Sequence, residues 1–394
     1  MGRAGETRVR GPLFSWSTRS GRARIAQAVL LAALFAAGAW LWNNTRANLA
    51  ARQIHSGFGF LREPAGFAIG EGLVPYSPTD SYLWAFAAGV GNTLRVAACG
   101  IALATFLGII VGVGRLSRNA LVRWLCTGYV EVLRNVPLIV QLFAWYLAAT
   151  EILPEAASPV ELAPHVYLSK EGLQFPTPVW ARGWGFALAG LGLGILCALA
   201  LSRWARGRRE RTGRRPRGLW LGLLAAAALP IAGWVAGGAP RALDVPEVTA
   251  FNVSGGTGVT PEFLALLIGL ATFTSAYIAE IVRSGILAVP HGQTEAAEAL
   301  GLSRHQVLRL VVFPQALRVI IPPLTSQFLN LTKNSSLAVA IGFPDLVSIA
   351  NTAINQNGQA LECIVLIMSV YLTINLATAL AMGVYNRRAA LVER

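Results

Sequence analysis

Few side chains in this sequence are spaced for covalent chemistry. The four cysteines, Cys99, Cys126, Cys197 and Cys363, lie in or beside apolar runs, and no two have metal-ligand spacing. They read as small hydrophobes in a packed interior. His55, His165, His291 and His305 are scattered, with no His/Asp/Glu cluster around them and no nucleophile elbow. A phosphate loop requires Gly-x-x-x-x-Gly-Lys-Ser/Thr. Lys170 is followed by Glu171 and Lys333 by Asn334, so neither lysine fits. The sequence predicts no catalytic residue, no metal ligand and no cofactor.

The residues whose spacing does carry information lie in the segment 289–314, and their chemistry is mechanical. Thr294 is placed to cap a short helix with Glu295 and Glu298 in its first turns, where acids favour the helix dipole. Gly301 can take the left-handed conformation that ends a helix. Ser303 with Gln306 three residues on makes a capping box, so a second helix starts at once. Val307, Leu310 and Val311 line one face of it, and Pro314 precedes the next apolar run. The expectation is two capped helices, Glu295–Leu300 and Arg304–Phe313, hinged at Gly301.

Ionisable and polar residues inside apolar runs are the second informative set, because they are costly in a bilayer. Glu131 with Arg134, and Glu280 with Arg283, stand at i,i+3 spacing where each pair can neutralise itself. Either pair reads as a satisfied helix end or as a gate. Gln327, Asn330 and Asn334 share one helical face, with Lys333 beside them. Such a stripe lines a translocation path or bonds to a neighbouring helix.

The elements that must position these residues are membrane spans. The chain is 54% hydrophobic and only 13% charged, too apolar for an aqueous surface over 394 residues. Eight apolar runs are predicted to span, at 25–42, 82–114, 121–149, 184–202, 218–237, 263–288, 315–333 and 361–385. The net charge of +14 is almost all arginine, and it alternates loop by loop. Segment 1–24 holds six Arg, the next inside loop holds Arg115, Arg118 and Arg123, and 203–217 holds eight. The outside segment 150–183 instead carries Glu151, Glu155, Glu161 and Glu171. This is positive-inside sorting with both termini in the cytoplasm, and it makes nucleic acid an unneeded explanation of the charge. Residues 1–39 also read as a possible signal peptide ending at Ala37-Gly38-Ala39, but the apolar run continues through Trp40, Leu41 and Trp42, which suits a retained anchor. Ser335–Phe343, stopped by Gly342 and Pro344, is too short to cross and reads as re-entrant or interfacial. Asn351–Gln359 reads as a polar external loop.

Segment 289–314 resembles the EAA loop of ATP-binding-cassette (ABC) importer permeases. That pattern is Glu-Ala-Ala, Gly after three residues, nine residues, then an aliphatic-x-Leu-Pro ending. Here it is Glu295-Ala296-Ala297, Gly301 and Val311-Val312-Phe313-Pro314, with Val311 and Phe313 as conservative departures. Glu131–Leu138 with Gln141-Leu142-Phe143, and Ala276–Arg283, are similar to the polar amino acid branch of that family. Gly57–Leu61, Ala65-Gly66-Phe67 and Leu329–Gly342 look like the general L-amino acid type, the first of two paired permease subunits. The resemblance covers roughly 50–149 and 262–388.

The resemblance implies an all-α polytopic transmembrane bundle of about eight spans on a type I (MetI-like) importer core. It divides the chain into a cytoplasmic tail (1–24), an anchor with a periplasmic segment (25–81), an N-terminal core region (82–149), periplasmic loops with an inserted hairpin at 184–237 (150–261), a C-terminal core region holding the coupling loop (262–388) and a tail (389–394). It implies that Glu295, Ala296, Ala297, Gly301 and Pro314 couple to an ATP-binding subunit present in two copies. The other implied partners are a second, homologous permease, a periplasmic amino-acid-binding protein, membrane lipid and an L-amino acid substrate. An ion-coupled secondary transporter is the alternative. It would be expected to show repeated, broken helices with midplane acids. A membrane enzyme, or an exporter or signalling relative reusing the loop, explains fewer of the residues.

Overall fold

The computed structural model describes residues 19–51, 57–212 and 218–389. The arginine-rich stretches at 1–18 and 213–217, and the tail 390–394, lie outside the described residues. In chain order the helices are α1 (Arg19–Ala51), α2 (Tyr82–Gly114), α3 (Ala120–Asn135), α4 (Leu138–Leu147), α5 (Arg182–Thr212) and α6 (Gly218–Ala236). They continue with α7 (Pro261–Leu287), α8 (His291–Ala299), α9 (Arg304–Val307), α10 (Phe313–Asn334), α11 (Leu346–Asn357) and α12 (Ala360–Ala389). Among the described residues six helical segments are long and apolar enough to cross a membrane, and a seventh span is the bent pair α3–α4. The shorter apolar helix Trp220–Ala236 is the return arm of the inserted hairpin.

The predicted span 121–149 is not one rod. Its two halves meet at 105°. Pro137 has no N–H to continue the ladder, and its ring pushes the preceding residue out of the helical region. Val136 accordingly sits at φ −92°, ψ 128°. The freed carbonyls of Leu133 and Val136 are taken by the Gln141 amide at 2.9 and 3.0 Å. That pairing explains a buried glutamine in an apolar helix.

The core is a bundle of α2, α4, α7 and α10. Val96, Leu142, Leu266, Leu270, Ile278 and Leu331 are fully buried at its centre. The helices α2 and α7 approach closely because α2 presents glycines one turn apart. A Cβ on Gly108 would lie 2.6 Å from the Ile278 Cβ, and one on Gly112 would lie 2.7 Å from the Ala279 carbonyl oxygen. Small residues at such spacing let two backbones meet inside a bilayer. By contrast α5 and α6 pack chiefly on each other. Residues Ile25–Asn48 of α1 are unburied.

Two expected loops carry structure. The outer segments contain a four-stranded antiparallel sheet built from Val160–Ala163, Val166–Ser169, Gly172–Phe175 and Thr257–Val259, with two short strand pairs beside it. The polar stretch beginning at Asn351 is helical through Asn357, because α11 is capped by Asp345 and ends only at Gly358. The short run from Ser335 forms a tight helix to Ile341, closed by Gly342 in the left-handed conformation, and continues the helical segment that begins at Arg304.

Candidate coupling and translocation site

Helix α8 begins a turn earlier than Thr294 predicts. Pro290, extended at φ −57° and ψ 135°, occupies the cap position, so His291 is the first helical residue and Thr294 is interior. Glu295 then lies one turn in, with its carboxylate 2.9 Å from His291 Nδ1. Gly301 ends the turn at φ +77°. The Ser303–Gln306 capping box forms as expected.

The three residues of the Glu-Ala-Ala motif do not face the same way. Glu295 and Ala296 are exposed, whereas Ala297 is buried against Val307 and Val312. Ala297 thus packs under the following turn and lies off the exposed face of α8. The surface that is presented ends in Leu300, which is 82% exposed. Sequence reasoning missed Leu300. The signal was its place in the last turn before the Gly301 break, where the residue has no following helix to cover it.

Helix α9 does not stop before the next span. Arg304–Val307 runs into a wider π-helical turn, Leu308–Val312, and on into α10. Phe313 donates its N–H to the Leu308 carbonyl, five residues back. Pro314 is the cause, since it lacks an N–H and its ring crowds the preceding turn. The expected boundary at Pro314 is thus a bulge inside one rod from Arg304 to Asn334. Gln315 also reaches Gln293 of α8, at 3.4 Å.

That rod carries the polar stripe. Gln327, Asn330 and Asn334 line a cleft of about 280 Å³ with Phe273, Thr274 and Tyr277 of α7. Lys333 is exposed and is not among the lining residues. Arg134 stacks over the Tyr277 ring, 5.1 Å from its centroid. The expected Glu131–Arg134 pair is not among the ion pairs of the described residues, and Glu131 is exposed. The aromatic face takes the guanidinium instead.

Glu280 and Arg283 do pair, at 2.6 Å, and Arg115 from the end of α2 joins them on the other carboxylate oxygen. One carboxylate between two guanidiniums ties α2 to α7 at the end nearest α8 and α9. At the opposite end Glu71 does similar work. Its carboxylate accepts from Arg95 at 2.5 Å and from the Thr260 hydroxyl at 2.6 Å, while Arg95 lies 4.1 Å over the Phe263 ring. Glu71 was not legible in sequence, because its partners are 24 and 189 residues away.

Residues 104–391 match the family model described as the inner membrane component of binding-protein-dependent transport systems. The chain belongs to this family. It is a multi-pass inner-membrane transport subunit and not itself an enzyme. It is 47% identical over 355 residues to a general L-amino acid transport system permease protein of Rhizobium johnstonii, covering 90% of this chain and 89% of the relative. It is 40% identical over 415 residues to a glutamate/glutamine/aspartate/asparagine transport system permease protein of Rhodobacter capsulatus, covering 97% and 96%. A glutamate/aspartate import permease of Escherichia coli is 28% identical over 317 residues, covering 80% and 92%.

Proposed function

We propose that this chain passes L-amino acids inward across the membrane, driven by a separate ATP-binding subunit that docks on α8. The observation that carries this reading is the continuity of the rod from Arg304 to Asn334. A push on α9 is carried to the amide stripe along this one helical segment, through the wider turn at Leu308–Val312 and past Pro322 and Pro323, while α8 joins it across Gly301. Glu295, Ala296 and Leu300 form the docking face, and Gly301 sets its angle to the rod. The Arg115–Glu280–Arg283 clamp holds the inner end of α2 and α7 closed, and the Glu71–Arg95 pair holds the outer end. Alternating access requires the two ends to open in turn, with ATP and the loaded binding protein each favouring the outward-open state. A second, homologous permease completes the membrane unit in this reading.

Reconstituting the permease pair with its ATPase and binding protein tests the whole reading. ATP hydrolysis should rise when the amino acid-loaded binding protein is added. Uptake that persists with an inactive ATPase and follows an ion gradient would point to the secondary transporter instead.

Two variants address the docking face and the path separately. Gly301→Asp places a side chain in open space, but at φ +77° it strains the hinge by about 1–2 kcal/mol. That is too little to unfold the protein and enough to re-aim α8. The variant is expected in the membrane at normal level without the ATPase bound, as read by co-purification. Asn330→Leu removes an amide from the cleft while keeping the number and branching of side-chain heavy atoms. It is expected to lower uptake about tenfold or more with the assembled complex intact, and unchanged uptake would remove the stripe from the path.

A further inference from the structure

A cluster of buried polar groups lies where α2, α12 and the Ser335–Ile341 turn meet the start of α11. At its centre is Asp345, which is 0% exposed. One carboxylate oxygen caps α11 by accepting from the Ser348 N–H at 2.8 Å. The other, Oδ2, is buried with no hydrogen-bond partner. No lysine or arginine of the described residues pairs with it. The Tyr371 hydroxyl of α12 faces Asp345 along with Thr93, Ser335 and Ser336, and it too has no partner at hydrogen-bond geometry.

Counting protons shows what is missing. Ser335 spends its hydroxyl proton on the Thr332 carbonyl, and Ser336 spends its own on Lys333. Thr93 Oγ1 already accepts from the Leu346 N–H. The oxygens of Asp345, Tyr371, Ser335 and Ser336 therefore share only the Tyr371 and Thr93 protons. A buried ionised carboxylate with no counter-ion is costly, and a site rich in acceptors draws a proton.

We propose that Asp345 is a proton-binding site, its carboxylic acid held neutral with the proton on the unpartnered Oδ2. Burial pushes the Asp345 carboxyl up, to about 7, against the lowering pull of the Ser348 and Val347 amides. The titratable group facing it is Tyr371. The groups offered by α2 and by the Ser335 turn, Thr93, Ser335 and Ser336, do not titrate near neutrality. The Arg95–Glu71 pair, on the helix that carries Thr93, is closed on itself. The backbone here is tethered, since the Asn92 amide donates to the Pro344 carbonyl at 2.9 Å. Loss of the proton puts an anion against acceptor oxygens at the point where the Ser335–Ile341 turn meets α2, and that junction should loosen.

Infrared pH-difference spectra of the complete transporter in lipid vesicles test this. A protonated-carboxyl carbonyl band should be present at pH 6, fade as the pH rises through about 7, and be missing in Asp345→Asn. The asparagine keeps the helix cap and supplies N–H donors in place of the acid proton, so it should fold. Tyr371→Phe should shift the band and keep it. No band lost in Asp345→Asn would overturn the proposal, and so would a band removed by sodium chloride at fixed pH, which would make this a cation site. Uptake should fall several-fold across the same pH range in the wild type and stay level in Asp345→Asn. Equal pH dependence in both would also overturn it. The uptake readout rests on the importer reading and the infrared readout does not, so the two can fail separately.

Discussion

Replacing Leu300 with aspartate is expected to strip the ATP-binding subunit from the complex while leaving the permease folded. Leu300 is a large apolar side chain, 82% exposed, in the last turn of a helix whose inner face is already satisfied by Ala297 on Val307 and Val312. It has little to lose within its own chain. An apolar anchor that fills a partner's pocket is worth about 2 kcal/mol or more on truncation, or roughly thirty-fold in affinity. A carboxylate in its place adds the cost of burying an unpaired charge, so the expected loss exceeds about a hundred-fold. Co-purification with the ATPase reads the effect, and the melting temperature of the isolated permease reports the control. Leu300→Met should restore binding, because volume and apolarity are kept. Full ATPase recovery with Leu300→Asp would move the docking face elsewhere. Glu295 is a weaker lever. It is exposed and already engages His291 at 2.9 Å, and exposed pairs contribute little.

What the sequence disclosed and what it withheld divide along the range of each interaction. The capping box at Ser303 and the left-handed Gly301 are local features, and both are present. Span placement was legible because apolar length and arginine alternation are summed over many residues. Thr294 misled because Pro290 can open a helix as well, and the choice between two nearby caps depends on how α8 packs on the following turn. Pro137 and Pro314 were visible, but their outcomes differ. One breaks a span by 105°, while the other is absorbed as a wider turn in a continuous rod. Which occurs depends on partners such as Gln141, not on the proline. The small outer sheet has strands of only three or four residues, too short for alternation to register.

The candidate site follows the same division. The amide stripe was readable from helical spacing, and its cleft is completed by Phe273, Thr274 and Tyr277 from a distant segment. The i,i+3 rule found Glu280–Arg283 but could not show that Arg115 shares the carboxylate. It also paired Glu131 with Arg134, where the Tyr277 ring competes and wins. Ion pairing by spacing assumes that nothing else faces the helix, and inside a bundle something usually does.

Gly112→Ala is expected to be among the most destructive single methyls that α2 can receive. The added Cβ would lie 2.7 Å from the Ala279 carbonyl oxygen and 2.9 Å from the Val282 Cβ. These neighbouring atoms belong to the backbone and to a stiff β-branched side chain, so no flexible end can move aside. The helices must separate, and separation also unpacks Ile278 from Gly108 one turn away. Overpacking of this kind costs about 1–3 kcal/mol before the lost contacts are counted. It further pulls Arg115 from Glu280, leaving a partly buried carboxylate with one guanidinium in place of two. Gly128→Ala on α3 is the matched control, because nothing lies within 4 Å of its new Cβ. There the change should be neutral or slightly stabilising, since alanine is the better helix former. Fluorescence-detected size exclusion of both variants in mild detergent reads the contrast. Gly112→Ala should lose most of its monodisperse peak while Gly128→Ala keeps it. Equal peaks would mean that α2 and α7 can separate freely, and a clamp at Glu280 could not then hold the inner end of the pathway shut.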